Sequence, residues 1–312
     1  MKRLLCVLLA GLMAMSLFAC GKKAAPEQSG DPVAQSSITA LQYSDDNVLV
    51  RFTRIDGTWK WADGLDFPLD DTFVLQLEKE IGALLQAESI GMIEDAATYG
   101  FDNAQKYIAV TNQDKTVRLS FGKQNAEGKW YMTRDDQPDA AYLADDQLVQ
   151  KLSTSVYDMA LLPTLPVFTQ EQLRAVTLDQ EEGLHLHLTA KDGGWTASGK
   201  KVKADDLQKE LENLTVTKCV DYHPTAGAIS LCGFDTPLSV TVSYVNSVGS
   251  MSDWVLKIGG EAIDGEGFYV TVGEDSTIYE MPKDHLTSVL QLAADNRQEL
   301  SVDDTELGDN NG

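Results

Sequence analysis

The chain has 312 residues and a formal net charge of −23, because 48 acidic residues stand against 25 basic ones. A surface this acidic repels phosphate backbones and anionic headgroups, which argues against nucleic acid as a partner. Acidity by itself indicates solubility and no particular chemistry.

The segment 1–19 has the pattern of an export signal. Lys2 and Arg3 give a basic start, and the segment 4–18 is an almost uninterrupted apolar run. This run is too short for a membrane-spanning helix, which needs about 20 residues. A basic start followed by a short apolar run is instead typical of a secretory signal peptide.

The segment 17–21, Leu-Phe-Ala-Cys-Gly, resembles the bacterial lipobox, in which a leucine and a small residue precede the cysteine that receives lipid. The resemblance implies cleavage before Cys20 and a lipid anchor on it, at the outer face of the cytoplasmic membrane. Two or three acyl chains anchor stably, since each buried methylene contributes about 0.8 kcal/mol. The alternative is an ordinary signal peptide followed by a chance cysteine.

Both ends of the mature chain lack the residues of a folded core. The segment 20–37 is rich in Gly, Ala, Pro, Gln and Ser without a hydrophobic period, which predicts a flexible tether. The segment 297–312 is acidic and carries little to bury, which predicts a disordered tail.

The remaining chain repeats a set of landmarks in the same order. Trp59 and Trp195 each follow an alternating segment and an Asp-Gly pair. Other landmarks recur at nearly the same offset along the chain: Gly100-Phe101-Asp102 with Gly233-Phe234-Asp235, Phe121-Gly122 with Ile258-Gly259, and Ala141-Tyr142 with Ile278-Tyr279. We therefore predict two tandem similar domains at 38–162 and 172–296, each long enough to bury its own core.

The periodicity within each predicted domain indicates an α+β fold. The segments 48–52 and 184–188 alternate as half-buried strands do, and the Asp-Gly pair after each suits a two-residue hairpin turn. A helix capped by Asp70 or Asp71 follows in the first domain. Further alternating segments precede closing helices over 145–160 and 283–294. We predict two domains, each an antiparallel sheet packed with about two helices.

These landmarks resemble the bacterial family called domain of unknown function 4340. Its members show a strand pair running into a Trp, a Gly-Leu-Asp or Gly-Phe-Asp step, an Ile-Gly pair and a Tyr-Val strand, the last present here as Tyr269-Val270. Pro237 matches a proline that often follows the Gly-Leu-Asp step, whereas the first domain has Ala104 there. The resemblance covers nearly all of 38–296. It implies a surface-tethered accessory protein, of a kind sometimes encoded with components of ABC-type export systems, and supplies no catalytic residue.

The histidines and the acidic clusters do not form a recognisable catalytic or metal motif. His185 and His187 lie two residues apart on one strand face, a spacing that can chelate a metal. The opposite face of that strand carries leucines of the predicted core, which favours solvent-facing histidines. We expect no catalytic residue, no metal site and no cofactor.

Two cysteines and one tryptophan remain as candidates. Cys219 and Cys232 are an even pair once Cys20 carries lipid, and outside the cytoplasm they form either a disulfide or two separately buried thiols. Trp59 and Trp195 recur at equivalent positions, which predicts a packing role. Trp61 has no such counterpart, so Trp61 is the candidate for an exposed binding surface.

The anchor, the repeat and the lack of catalytic motifs together favour a non-enzymatic binding or scaffolding lipoprotein. Its expected partners are the membrane, through lipid on Cys20, and a membrane transport complex. One alternative is a receptor that captures a sugar or peptide in a cleft between the two domains. Another is a hydrolase with an unrecognised acidic site.

Overall fold

The structure is a computed structural model that describes residues 38–113, 115–181, 183–204 and 206–306, with side chains described as far as 297. The predicted signal peptide at 1–19, the lipid site at Cys20 and the tether at 20–37 lie outside the described residues. Within the described part of the chain, no helix is both long enough and apolar enough to span a membrane.

The first half of the chain forms an eight-stranded antiparallel sheet with the order β3-β2-β1-β5-β6-β7-β8-β4. Its strands are β1 (Ile38–Ser44), β2 (Leu49–Ile55), β3 (Thr58–Trp61), β4 (Gly91–Met92), β5 (Tyr107–Asn112), β6 (Lys115–Gln124), β7 (Trp130–Arg134) and β8 (Gln137–Ala144). Its helices are α1 (Thr72–Leu85), α2 (Ala96–Tyr99) and α3 (Asp146–Gln150), with 3₁₀ turns at Phe101–Asn103, Lys151–Ser153 and Val156–Met159.

The second half forms a nine-stranded antiparallel sheet with the order β12-β11-β10-β9-β14-β15-β16-β17-β13. Its strands are β9 (Leu173–Gln180), β10 (Leu184–Lys191), β11 (Gly194–Ala197), β12 (Lys200–Val202), β13 (Lys218–Asp221), β14 (Leu238–Val245), β15 (Met251–Glu261), β16 (Gly267–Val272) and β17 (Ile278–Pro282). Its helices are α4 (Leu207–Glu212), α5 (Ala226–Leu231) and α6 (Thr287–Glu306), with a 3₁₀ turn at Lys283–His285.

The two sheets have the same strand order, apart from β12, which the second sheet adds at one edge. The predicted antiparallel sheets are confirmed, and one lies in each half of the chain. The predicted helix content matches only roughly, because the structure is mostly strand and several of its helices are only one or two turns long. The domain limits at 38–162 and 172–296 stay predictions.

The hairpins form where the Asp-Gly pairs indicate. Asp56 and Gly57 have φ of 50° and 83°, and Asp192 and Gly193 have φ of 51° and 73°. Positive φ at both central residues defines the turn whose twist matches that of the flanking strands. The strands on either side are therefore held in register, with Ile55 opposite Thr58 in the first hairpin.

The helices that close the two halves differ from prediction. The expected helix over 145–160 breaks after Gln150 into 3₁₀ turns, because Thr154 is extended and Ser155 caps a new turn with its own side chain. The helix expected to end near 294 instead continues to Glu306, well into the predicted disordered tail at 297–312. No glycine or proline occurs between 283 and 307 to end it earlier.

Most buried apolar side chains of the two sheets belong to one continuous hydrophobic cluster, and Ala262, Tyr269 and Ile278 form a smaller one. In the first half this core also contains a charge, Glu78, which is 5% exposed. Glu78 Oε2 accepts hydrogen bonds from Arg54 Nη2 at 2.6 Å and from Trp59 Nε1 at 3.2 Å. The carboxylate is thus paired, as a buried charge must be.

Candidate functional site

An aromatic cluster joins the two halves and contains the candidate Trp61. The ring centroid of Trp61 lies 5.3 Å from that of Phe67 and 6.1 Å from that of Tyr157. Phe67 in turn packs edge-on against Tyr222 of the second half, at 5.2 Å. Trp61 is half-buried in this cluster, so only part of its ring is open to a ligand.

Polar contacts reinforce the same junction. Tyr157 Oη donates to Asp221 Oδ1 at 3.3 Å, and His223 Nε2 lies 3.2 Å from Asp66 Oδ2. Burial, with Asp221 nearby, raises the pKa of the Tyr157 phenol. The hydrogen bond from His223 lowers the pKa of the Asp66 carboxyl. These contacts link residues of both halves, so the junction is a packed interface.

The two sheets differ at the edge that this junction covers. β13 is the last strand of the second sheet, and the 3₁₀ turn Val156–Met159 from the first half packs against it. β4 is the last strand of the first sheet, and both of its residues, Gly91 and Met92, are exposed. An edge strand left open is a template for a further chain.

The register places β4 and β13 at the same position. Gly91 pairs with Ala141 in the first sheet, and Asp221 pairs with Ile278 in the second. Ala141 and Ile278 are matched landmarks in the sequence. Met92 therefore occupies the position of Tyr222, whose ring is covered by Phe67.

The side chains along the open edge are apolar in the middle and acidic at the ends. Ile90 is 50% exposed and Met92 is 68% exposed. Glu88, Glu94 and Asp95 flank them and are exposed as well. The edge therefore combines an apolar centre with a negative rim.

The sequence alone did not reveal this edge, because the signal lies in the strand order. Ile90 and Met92 sit in a short segment with no periodicity, and only the pairing of β4 with β8 makes them an edge.

The two candidate cysteines are free thiols in the structure. Burial, with Asp221 as the next contribution, raises the pKa of the Cys219 thiol to about 12. Burial also raises the pKa of the half-buried Cys232 thiol. Both thiols are therefore protonated at neutral pH and poor nucleophiles.

The histidine pair lies on the exposed face of β10, as predicted. His185 Nδ1 is 2.6 Å from Asp179 Oδ1, and His187 Nδ1 is 2.9 Å from Thr177 Oγ1. Leu184, Leu186 and Leu188 alternate with them and are buried. Among the described residues, no three His, Cys, Asp or Glu side chains come together as a metal site.

The repeated glycines have a shared structural role. Gly100 and Gly233 have φ of 77° and 78° and follow the short helices α2 and α5. A Cβ on Gly122 would overlap the carbonyl oxygen of Tyr99, and one on Gly259 would overlap that of Cys232. In both halves a helix end thus lies directly on a strand, at a point where only glycine fits.

The sequence matches the family described as Domain of unknown function (DUF4340) over residues 59–237. That segment is more than half of the chain. The chain belongs to this family. The DUF4340 match begins at Trp59 and ends at Pro237, so it takes in most of the first sheet, the junction, and β9 to β13 of the second. Comparison with the curated proteins and with the solved structures gives no match.

Proposed function

We propose that this DUF4340 protein is a membrane-anchored, extracytoplasmic binding protein that holds a protein partner on the open edge of β4. The observation that carries the proposal is the contrast between two equivalent edges. β13 is covered by a turn of its own chain, and β4 presents exposed Ile90 and Met92. A sheet edge binds an extended segment through main-chain hydrogen bonds, with specificity from neighbouring side chains.

The chemistry of the edge defines the partner that fits it. An apolar centre suits apolar side chains on the partner, and the acidic rim of Glu88, Glu94 and Asp95 suits flanking lysines or arginines. The family resemblance directs the search to a subunit of an ABC-type transport system. The chain then acts as a non-enzymatic accessory or scaffold of that complex.

The anchor in this proposal is lipid on Cys20, at the outer face of the cytoplasmic membrane. It is supported by the basic start, the apolar run and the lipobox-like segment 17–21. Metabolic labelling with an alkyne fatty acid tests it. The wild type should carry label and Cys20→Ser should not; label that persists in Cys20→Ser would contradict the anchor.

We also propose that the two halves are tandem copies of one unit. The shared strand order supports this, as do the matched glycine contacts at Gly122 and Gly259. Copies of one sheet would offer the same edge twice. One of those edges is used inside the chain, which leaves the other for a partner.

The two alternative functions find less support in the described residues. The junction between the halves, where a receptor cleft would lie, is filled by the rings of Trp61, Phe67, Tyr157 and Tyr222. A hydrolase of the expected kind needs convergent carboxylates in a pocket, and the pocket between α6 and the second sheet has none on its walls.

Site-specific photo-crosslinking in intact membranes tests the proposal. A photoreactive amino acid replaces Met92 in one variant and Ile263 in another, since both side chains are exposed and apolar but only Met92 lies on the β4 edge. We expect an adduct with a transport subunit, identified by mass spectrometry, from position 92 alone. No adduct from position 92, or the same adduct from both positions, would overturn the proposal.

A further inference from the structure

Two histidine side chains project from the exposed face of β10. His185 and His187 are two residues apart, so they lie on the same face of the strand. Both are exposed, and the side chain of His185 is 72% accessible to solvent. Leu184, Leu186 and Leu188 alternate with them and are buried, which holds the strand against the core. The pair therefore stands on a fixed backbone.

The neighbouring strand β9 holds one nitrogen of each ring. In the pairing of β10 with β9, His185 is directly opposite Asp179 and His187 is directly opposite Thr177. Nδ1 of His185 lies 2.6 Å from Asp179 Oδ1, and Nδ1 of His187 lies 2.9 Å from Thr177 Oγ1. Both rings thus lean toward β9 and engage it through the same atom.

These contacts determine which nitrogen of each ring suits a metal ion. An ionised carboxylate only accepts hydrogen bonds, so Nδ1 of His185 carries the proton and Nε2 carries the lone pair. The Thr177 hydroxyl oxygen can accept from Nδ1 of His187 in the same way. Histidines that bind metals have this arrangement, in which the other ring nitrogen donates to a carboxylate, a carbonyl oxygen or water. The spacing alone favoured ordinary surface histidines, whereas the contacts with β9 indicate a pair of oriented ligands.

We infer that His185 and His187 form an open site for a divalent transition-metal ion, with Nε2 of each ring as a ligand. Imidazole nitrogen suits Cu²⁺, Ni²⁺ and Zn²⁺, and the net charge of −23 attracts cations. Asp179 orients His185 and does not bind the ion itself, in keeping with the lack of a three-ligand cluster among the described residues. Water, or a donor atom of a bound molecule, completes the coordination.

The first half of the chain has no such pair. Leu49 and Arg51 stand at the same distance before Trp59 as the two histidines stand before Trp195. All four histidines of the sequence lie after residue 172. A metal ion that binds this chain through imidazole therefore binds the second half, on a different sheet from the β4 edge.

The probe for this inference is Ni²⁺, titrated by calorimetry into the full-length lipoprotein in detergent, prepared without a polyhistidine tag. Ca²⁺ is the matched control ion, because it has the same charge and prefers oxygen ligands. We expect one Ni²⁺ per chain, bound equally well in the presence of Ca²⁺. The absence of Ni²⁺ binding, or full competition by Ca²⁺, would overturn the inference, since competition would assign the binding to acidic side chains.

Single histidine variants locate the site. His185→Asn and His187→Asn should each weaken Ni²⁺ binding at least about tenfold, because the second ring no longer acts at high effective concentration. His223→Asn with His285→Asn is the control, since both residues lie outside β10, and the affinity should stay unchanged. An unchanged affinity in either single variant, or an equal loss in the control, would contradict the assignment.

Asp179 tests the orienting contact. Asp179→Ala should weaken Ni²⁺ binding about tenfold, as the loss of a group that orients a ligand does. Asp179→Asn keeps an acceptor oxygen for Nδ1 of His185 and should restore most of the affinity. Equal losses in the two variants would exclude the orienting role. None of these results depends on the β4 edge.

Discussion

The two halves of the molecule share a strand order and differ in what they leave exposed. In the first half, the Glu78 carboxylate accepts hydrogen bonds from both the Trp59 indole and the Arg54 guanidinium. The edge strand β4 of this half carries the exposed side chain of Met92. In the second half, Trp195 packs beside the additional strand β12, and the edge strand β13 is covered. The shared features lie in turns and glycine contacts. The differences lie in one buried charge network and at the sheet edges, and the open edge is where a partner would distinguish the halves.

The largest expected effect concerns Glu78, whose carboxylate is buried in the first half and pairs with Arg54. Glu78→Ala should lower the free energy of unfolding by about 3–5 kcal/mol, because it leaves the mostly buried guanidinium of Arg54 without its carboxylate partner. Glu80→Ala is the matched control on the same helix. Its pair with Lys151 is about a quarter to a third exposed and is worth about 1 kcal/mol or less. Urea denaturation gives both values, and equal losses would refute a special role for Glu78.

Replacing the glycine that contacts a helix end should destabilise both halves by a similar free energy. Gly122→Ala and Gly259→Ala should each cost about 1–3 kcal/mol of unfolding free energy, because the added Cβ meets a backbone carbonyl. Gly194→Ala is the control, since the nearest atom to its Cβ would be Lys191 O at 3.9 Å. If only one of the two glycines is sensitive, the halves do not share this contact.

A smaller effect concerns α6, which has 20 residues, whereas the closing helix of the first half, α3, has 5. Ser288 N donates to both carboxylate oxygens of Glu210, at 2.7 and 2.9 Å. Glu210→Ala should therefore cost about 1 kcal/mol, as the loss of a helix cap does. Thermal unfolding followed by circular dichroism measures it. Glu212→Ala, on the same helix as Glu210, should cost less; the reverse ranking would exclude Glu210 as the cap.

The smallest effect is a pH dependence in the first half. Hydrogen bonds from Arg134 lower the pKa of the Asp136 carboxyl. A lowered folded-state pKa stabilises the fold above the unfolded pKa of about 3.9, and this contribution is lost as the pH falls through the folded value. Asn keeps one acceptor oxygen for Arg134, so Asp136→Asn should cost only about 1 kcal/mol at pH 7, with a difference that shrinks toward acid pH. A difference independent of pH would contradict this origin.

Local signals in the sequence predicted the local structure. The Asp-Gly turns, the alternation of Leu184, Leu186 and Leu188, and the packing of Trp59 all depend on neighbours close in the chain. The broken helix over 145–160 was missed, because its apolar residues continue across Thr154 and Ser155 while the backbone there is extended.

The β4 edge and the aromatic junction could not be predicted from local sequence, because residues far apart in the chain form them. Strand order joins Gly91 to Ala141, and this pairing makes Met92 an edge residue. The histidine pair was visible from its spacing, but the contacts of its rings follow from the pairing of β10 with β9. Trp61 was singled out because it has no counterpart in the second half, yet that difference reflects the aromatic junction around it.

The most direct test of the central claim is recovery of the partner by an edge variant. Ile90→Lys with Met92→Lys places positive charge on the open edge, and Leu231→Lys with Ile263→Lys does the same at exposed apolar positions of the second half. The full-length lipoprotein is purified from gently solubilised membranes, and co-purified transport subunits are quantified. We predict that recovery is lost with the first pair and kept with the second. Equal recovery with both pairs would contradict the claim that the β4 edge binds the partner.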